Sequence, residues 1–201
     1  EDISLTNGTL SSIVGFGPYT ATFTPTTQNT YYSISVAAST FADTYGNLNT
    51  VSNTFTWTQD IIKPTITITS SDVTSGAISN LTEYYITFTT ETGTTFEHED
   101  ISLTNGTLSS IVGFGPYTAT FTPTTTNTNY SISVAASTFA DTYGNLNTVS
   151  NTFTWTQDII KPTMTITSTQ GTTGFLFHTN NISLIFTASE PVIGFVFGDI
   201  S

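Results

Sequence analysis

The sequence predicts an all-β chain, built as a linear array of antiparallel two-sheet sandwich domains, and three observations predict it. The segment EDISLTNGTLSSIVGFGPYTATFTPTT begins at Glu1 and again at Glu99, 98 residues on, and residues 1–70 differ from 99–168 at only three positions, Gln28/Thr126, Tyr31/Asn129 and Ile66/Met164. A period near 100 is too long for one turn of a solenoid and suits one small all-β domain. Within the repeat, Thr and Ser alternate with aromatic or branched residues at a period of two, and no window carries a helical period. The Thr-rich face fits strands because a β-branched residue packs well on a pleated surface while its hydroxyl meets water.

Taken in order, Ile66 and Ile68 form the first inward pair, followed by Tyr84, Ile86 and Phe88, then Tyr117, Ala119 and Phe121. Tyr130, Ile132 and Val134 come next, and Val149, Phe153 and Trp155 close the unit. A turn signal follows each run. About seven strands per ~100 residues make an immunoglobulin-type sandwich the economical arrangement, with Trp155 filling the gap between sheets. IIKPTITIT at Ile61–Thr69 returns as IIKPTMTIT at Ile159–Thr167, so the Lys-Pro step marks the handover between units. On that phasing residues 1–63 are the C-terminal part of one unit, 64–161 a complete unit and 162–201 the N-terminal part of another. The chain is expected to be a window onto a longer array.

Composition narrows the function. Lys and Arg number 2 against 14 Asp and Glu, a net charge of −12, the wrong sign for nucleic acid or anionic lipid. No apolar run approaches the ~20 residues that span a bilayer. At 37% hydrophobic and 13% aromatic the chain has material for a core, and with no cysteine it has neither disulfides nor thiolate zinc sites.

ISLTNGTLSSIVGFGPYTATFTPT, then ISVAASTFADTYGNLNTVSN, then DIIKPTITITS, together with IFTASEPVIGFVFGDIS in the last unit, resemble the bacterial Ig-like tandem repeats of large surface adhesins of the RTX, type I secreted kind. Related repeats also occur in virus and phage fibres. The resemblance implies a repetitive extracellular stalk, often stiffened by calcium between domains. The RTX nonapeptide itself is absent, so any calcium belongs to the Ig-like junctions.

DTYGNLN, at Asp43–Asn49 and again at Asp141–Asn147, bears on that point. In a sandwich of this topology the last hairpin turns where the preceding linker arrives, which brings Asp141 and Asn145 beside Asp60, and the loop carrying Glu91 turns at the same end. Asp60, Glu91, Asp141 and Asn145 make a candidate calcium site, since calcium takes six to eight oxygens at ~2.3–2.6 Å. The next junction would use Asp158 and Glu190, and the preceding one Asp43 and Asn47. Gly144 permits a tight backbone. The competing reading makes the motif a turn, with Asp and Asn capping backbone amides. Lys63 places a positive charge near the proposed ion, which weakens the site or points the ammonium away.

Other clusters carry less. Glu97-His98-Glu99-Asp100 reads as a solvated strand end, with Phe197-Gly198-Asp199 matching it in the last unit. His178 aligns with Asn80, so the two histidines do not form a repeated site. No serine stands in a nucleophile elbow, and no catalytic activity is expected. Asn7, Asn80, Asn105, Asn129 and Asn181 begin N-glycosylation sequons, whose use depends on the source.

These readings point to a spacer on a cell surface or virus particle, partnered by neighbouring repeats and by like chains in a fibre, without nucleic acid and without insertion into a membrane. Two alternatives stand: a filament subunit held by packing or strand exchange, and a glycan- or ice-binding module using Thr faces such as Thr65-Ile-Thr67.

Overall fold

The computed structural model describes residues 2–176, 178 and 180–200. Residues 1–63 contribute β1 (Ile3–Thr6), β2 (Gly8–Leu10), β3 (Phe23–Pro25), β4 (Tyr31–Val36) and β5 (Phe55–Thr58). The middle stretch contributes β6 (Thr67–Ser70), β7 (Ile78–Ser79), β8 (Tyr84–Thr89), β9 (Ile101–Thr104), β10 (Gly106–Leu108), β11 (Val112–Gly113), β12 (Tyr117–Pro123), β13 (Asn129–Val134) and β14 (Phe153–Gln157). Two more strands, β15 (Met164–Ser168) and β16 (Leu184–Ala188), complete the list.

The middle strands form a sandwich. One sheet runs β10-β12-β8-β6, with β11 on β12, and the facing sheet runs β7-β14-β13-β9. All pairings are antiparallel except β7 with β14. This is the immunoglobulin-like arrangement the alternation predicts. Side chains at every second position of β6, β8, β12, β13 and β14 turn inward, and the core joins Ile66, Ile68, Tyr84, Ile86, Phe88, Tyr117, Phe121, Tyr130, Ile132, Val134, Phe153 and Trp155. Trp155 lies at its centre, with Phe121 at 4.8 Å, Tyr84 at 4.9 Å and Tyr130 at 5.2 Å between ring centroids. Such pairs add about 0.5–1.5 kcal/mol each beyond the burial itself. Desolvation raises the pKa of Tyr130, and the neighbouring Tyr84 raises it further. The Tyr130 hydroxyl donates to the Thr125 carbonyl at 2.6 Å and contacts Gln157 Oε1 at 2.9 Å.

Two expectations are corrected. Val149 is exposed rather than inward. The buried Ser150 beside it takes the inward position, its Oγ accepting from Val134 N at 2.9 Å, and regular strand begins only at Phe153. Glu97–Asp100 is solvated and leads straight into β9, as expected, but is not itself strand. His98–Asp100 is a 3-10 turn, closed by Asp100 Oδ2 accepting from Glu97 N at 2.8 Å. A carboxylate within reach of the backbone amide three residues earlier competes with strand pairing there.

At either side the sheets are open. β1, β4 and β5 form one sheet and β2 with β3 another, while β15 pairs only with β16. The register of β15 on β16 matches that of β6 on β8, with Ile166 opposite Phe186 as Ile68 is opposite Phe88.

Candidate junction site

The site grows from one loop between β13 and β14. Asp141 Oδ1 accepts from Tyr143 N at 2.8 Å and Asn145 N at 2.9 Å, and Oδ2 accepts from Asn145 Nδ2 at 2.8 Å. Gly144, at φ +88°, supplies the left-handed step that a side chain would strain. The loop is therefore an Asx turn whose carboxylate is already hydrogen-bonded through both oxygens. Desolvation pushes the Asp141 carboxyl up, but the Asn145 amide and the N–H groups of Asn145, Tyr143 and Gly144 outweigh it and hold the pKa below the usual value. In the earlier copy the Asn47 side chain and backbone, each at 2.8 Å, do the same for Asp43, joined by Tyr45 N at 2.9 Å.

Asn147, at the end of the motif, sits deeper and was missed by the search for metal ligands. It is 2% exposed. Its Oδ1 accepts from Thr138 N at 2.8 Å and Phe139 N at 3.0 Å, and its Nδ2 donates to Ala135 O and Thr148 O at 2.8 Å each. Four bonds satisfy a buried amide completely. The signal for it was its place in the motif, after Leu146 and at the end of a repeated loop.

The loop meets the incoming linker. Asn145 Nδ2 donates to the Asp60 carbonyl at 3.2 Å, and Thr148 N to the Pro64 carbonyl at 2.9 Å. Pro64 is buried, whereas Pro162 in the following linker is exposed. Asp60 Oδ1 accepts from Ile62 N at 2.9 Å, as Asp158 Oδ1 does from Ile160 N at 3.1 Å, so each linker starts with its own small turn. Glu91 is exposed on the β8–β9 loop. That loop is tied to the same end of the sandwich by Thr95 N donating to the Ala140 carbonyl at 2.9 Å and Ala140 N to Thr95 Oγ1 at 3.0 Å.

The opposite end, beyond β14, forms a second cleft lined by Asn80, Asp158, Lys161 and Glu190 among others. Glu190 Oε1 is enclosed there without a hydrogen-bond partner among the described residues. Asp43 and Asn47 lie on the exposed loop of the first half-sandwich. Among the described residues no three His, Cys, Asp or Glu side chains gather into a metal-holding group. A cation at either junction would draw on amide and backbone oxygens beside at most two carboxylates.

Threonines line the outer face of one sheet: Thr87 lies opposite both Thr69 and Thr118, and Thr67 opposite Thr89. No helix among the described residues is long and apolar enough to cross a membrane.

The repeat, the sandwich topology and the junction loop can be set beside known proteins. The profile of the bacterial Ig-like domain matches residues 1–58 and 60–156. The chain belongs to the bacterial Ig-like domain family. No curated protein matches it. Among solved structures it is similar to InvD of Yersinia pseudotuberculosis, at 20% identity and a TM-score of 0.34, over 83% of this chain and 51% of that one. The chain thus spans about half the length of that structure. As a bacterial Ig-like tandem, it presents polar loops at each end of its sandwich and a hydroxyl-rich coat between them.

Proposed function

We propose that the chain is an extracellular spacer, part of the stalk of a repetitive surface adhesin, which holds a binding tip away from the surface that carries it. The observation that carries this reading is the linker clamp: the Asp60 carbonyl, in the linker from the preceding unit, is held by Asn145 of the sandwich, while Thr148 holds the carbonyl of Pro64, where the linker enters that sandwich. A short linker fixed by hydrogen bonds transmits direction from one unit to the next, so each repeat adds length without a free joint. The unit is a non-catalytic module.

Calcium at the junctions belongs to the same proposal. The fit differs between the two ends. In the cleft beyond β14, the enclosed and unpartnered Glu190 Oε1 leaves a carboxylate oxygen in want of a partner. Asp158 and Asn80 add oxygens to it, and Lys161 lies on the same cleft as a competing charge. At the earlier junction Asp60, Asp141 and Asn145 would hold the ion, with Asp141 exchanging its bond to the Asn145 amide for the metal, and Glu91 on the exposed β8–β9 loop would have to move to join them, since among the described residues no three acids gather there. Asp43 and Asn47 would serve the junction before that. A bound calcium ion would supply positive charge between acids and oxygen cross-links between units.

The test is thermal unfolding of the chain with millimolar calcium and with excess chelator, in the native sequence, Glu190→Ala and Asp141→Ala. A calcium-dependent rise in Tm that disappears in either variant supports junction calcium. Identical melting in calcium and chelator removes calcium from the reading and leaves the hydrogen-bonded linker as the stiffening element.

A further inference from the structure

The first and last segments of the complete sandwich lie side by side and run the same way. The linker enters at Pro64, beside the loop that precedes β14, and the next linker leaves at Asp158, beyond the far end of β14. Between those points the two segments are joined along their length. Thr148 N donates to the Pro64 carbonyl at 2.9 Å. Asn151 Oδ1 accepts from Ile68 N at 2.8 Å, and its Nδ2 donates to Ile68 O at 2.9 Å. Thr154 N donates to Ser75 Oγ at 3.1 Å, and Thr154 O accepts from Gly76 N at 2.7 Å. Thr156 N then donates to Ala77 O at 2.9 Å, Asp158 N to Ser79 O at 3.0 Å and Gln157 Nε2 to Leu81 O at 2.7 Å. The partners advance together, Pro64 with Thr148, Ile68 with Asn151, Gly76 with Thr154 and Ser79 with Asp158, in the parallel order that β7 and β14 show in their register.

Side chains carry this seam where a backbone ladder cannot. β7 is two residues long, and the chain crosses from one sheet to the other between β6 and β7, where Val73 is buried and Asp72 Oδ2 accepts from Tyr85 N at 2.5 Å. β6 has β8 on one side and no strand on the other. The Asn151 amide, which offers both a donor and an acceptor, stands in for that second neighbour. Ile68 and Gln157 are buried, so the bonds made there are partly sheltered and a group released from them meets little water to replace its partner.

We propose that this seam is the tension-bearing element of the unit, with Asn151, Ser75 and Gln157 as its side-chain staples. Tension along the array draws β6 and β7 back toward the incoming linker and β14 forward toward the outgoing one. In parallel segments loaded from opposite ends the bonds are strained in shear and together, so several must break in one step. Loading both segments from the same end would instead open the bonds one at a time. Forced unfolding follows the height of the unfolding barrier, so the seam sets the resistance of the unit beyond what its equilibrium stability supplies. The inference rests on the spacer reading for the source of the tension. The seam lies within one unit, however, so a flexible joint between units would sink that reading and leave the seam intact.

The chain has no cysteine, so a pair of introduced cysteines sets the direction of pull in single-molecule force spectroscopy. Lys63→Cys with Lys161→Cys places handles at two exposed linker positions and loads the seam lengthwise. Asn80→Cys with Lys161→Cys places both handles at its far end, again on exposed positions, and peels it. In excess chelator the lengthwise unfolding force is expected to be about double the peeling force or more. Asn151→Ala should lower the lengthwise force and leave the peeling force unchanged, because peeling starts at Ser79 and Asp158, at the other end of the seam. Ser75→Ala, which removes one exposed hydroxyl, is a milder second probe and should lower the lengthwise force in the same direction. Ile132→Val, a buried change on β13 away from the seam, should lower Tm yet reduce the lengthwise force less than Asn151→Ala does. Equal forces in the two directions, or a loss of force in Ile132→Val as large as in Asn151→Ala, overturns the proposal.

Discussion

Phe55 and Phe153 occupy the same position in near-identical sequence, yet Phe55 is 62% exposed and Phe153 is 4% exposed. Residues 1–63 and 99–161 differ at two of these positions only, Gln28/Thr126 and Tyr31/Asn129. Both stretches form the same hairpins, with Tyr32 opposite Trp57 as Tyr130 is opposite Trp155. What separates them is the presence of β6 and β8, which cover one and not the other. Strand formation here is a local matter of alternation and turns; burial is not. Core residues of this sandwich are stabilised by distant segments, Trp155 packing on Tyr84 71 positions earlier and Asn151 bonding Ile68 83 positions earlier, and without those segments the strands of the first half-unit still form.

The comparison can be broken or sharpened by paired substitutions, read by denaturant unfolding. Phe153→Ala removes a core ring and should cost about 3–5 kcal/mol, while Phe55→Ala should change stability by less than about 1 kcal/mol. Equal losses at both positions would mean that the first half-sandwich is covered in solution. Asn147→Ala strips four bonds from a buried site and should cost more than about 2 kcal/mol, against a smaller loss for Asn49→Ala, whose site is half-buried. Asn151→Ala should cost about 1–3 kcal/mol by releasing both bonds to Ile68, and Asn53→Ala nothing measurable.

The smallest effect is on pH. Asp141 and Asp43 both have their pKa lowered in the folded chain, so each contributes stability that is present above the ordinary carboxyl value of 3.8 and is lost as pH falls through the lower folded value. Amide exchange at Tyr143, Asn145, Tyr45 and Asn47 should therefore quicken below about pH 4 while exchange in β13 stays slow. Loops that keep their protection at pH 2 would contradict the role given to these carboxylates.

Much of this fold was legible because the repeat and the alternation are strong. Of the inward residues read from the pattern in the complete unit, Ile66 to Trp155, all but Val149 are buried. Val149 failed because the stretch ahead of β14 is irregular and the small hydroxyl of Ser150 is the group that anchors it, which period-two counting does not detect. The Asp100 turn was misread for a similar reason: a carboxylate bonding its own backbone leaves no periodic trace. At the junction, topology brought Asn145 to the Asp60 carbonyl and Asp158 and Glu190 to one cleft. The competing reading of the motif as a turn capped by Asp141 describes the loop, but the sequence did not reveal that the second Asp141 oxygen is engaged by the Asn145 amide, nor that Asn147 is the buried anchor. Those facts depend on side-chain direction in a tight turn, which residue types alone leave open.

The central claim is that successive units add length without a free joint. Small-angle scattering of chains built from two, three and four complete 98-residue units, each with its Asp-Ile-Ile-Lys-Pro linker and measured in calcium, tests it most directly. A maximum dimension that rises by the same increment with each unit is the predicted result. A size that grows only as about the square root of the number of units, as for a freely jointed chain, would contradict it.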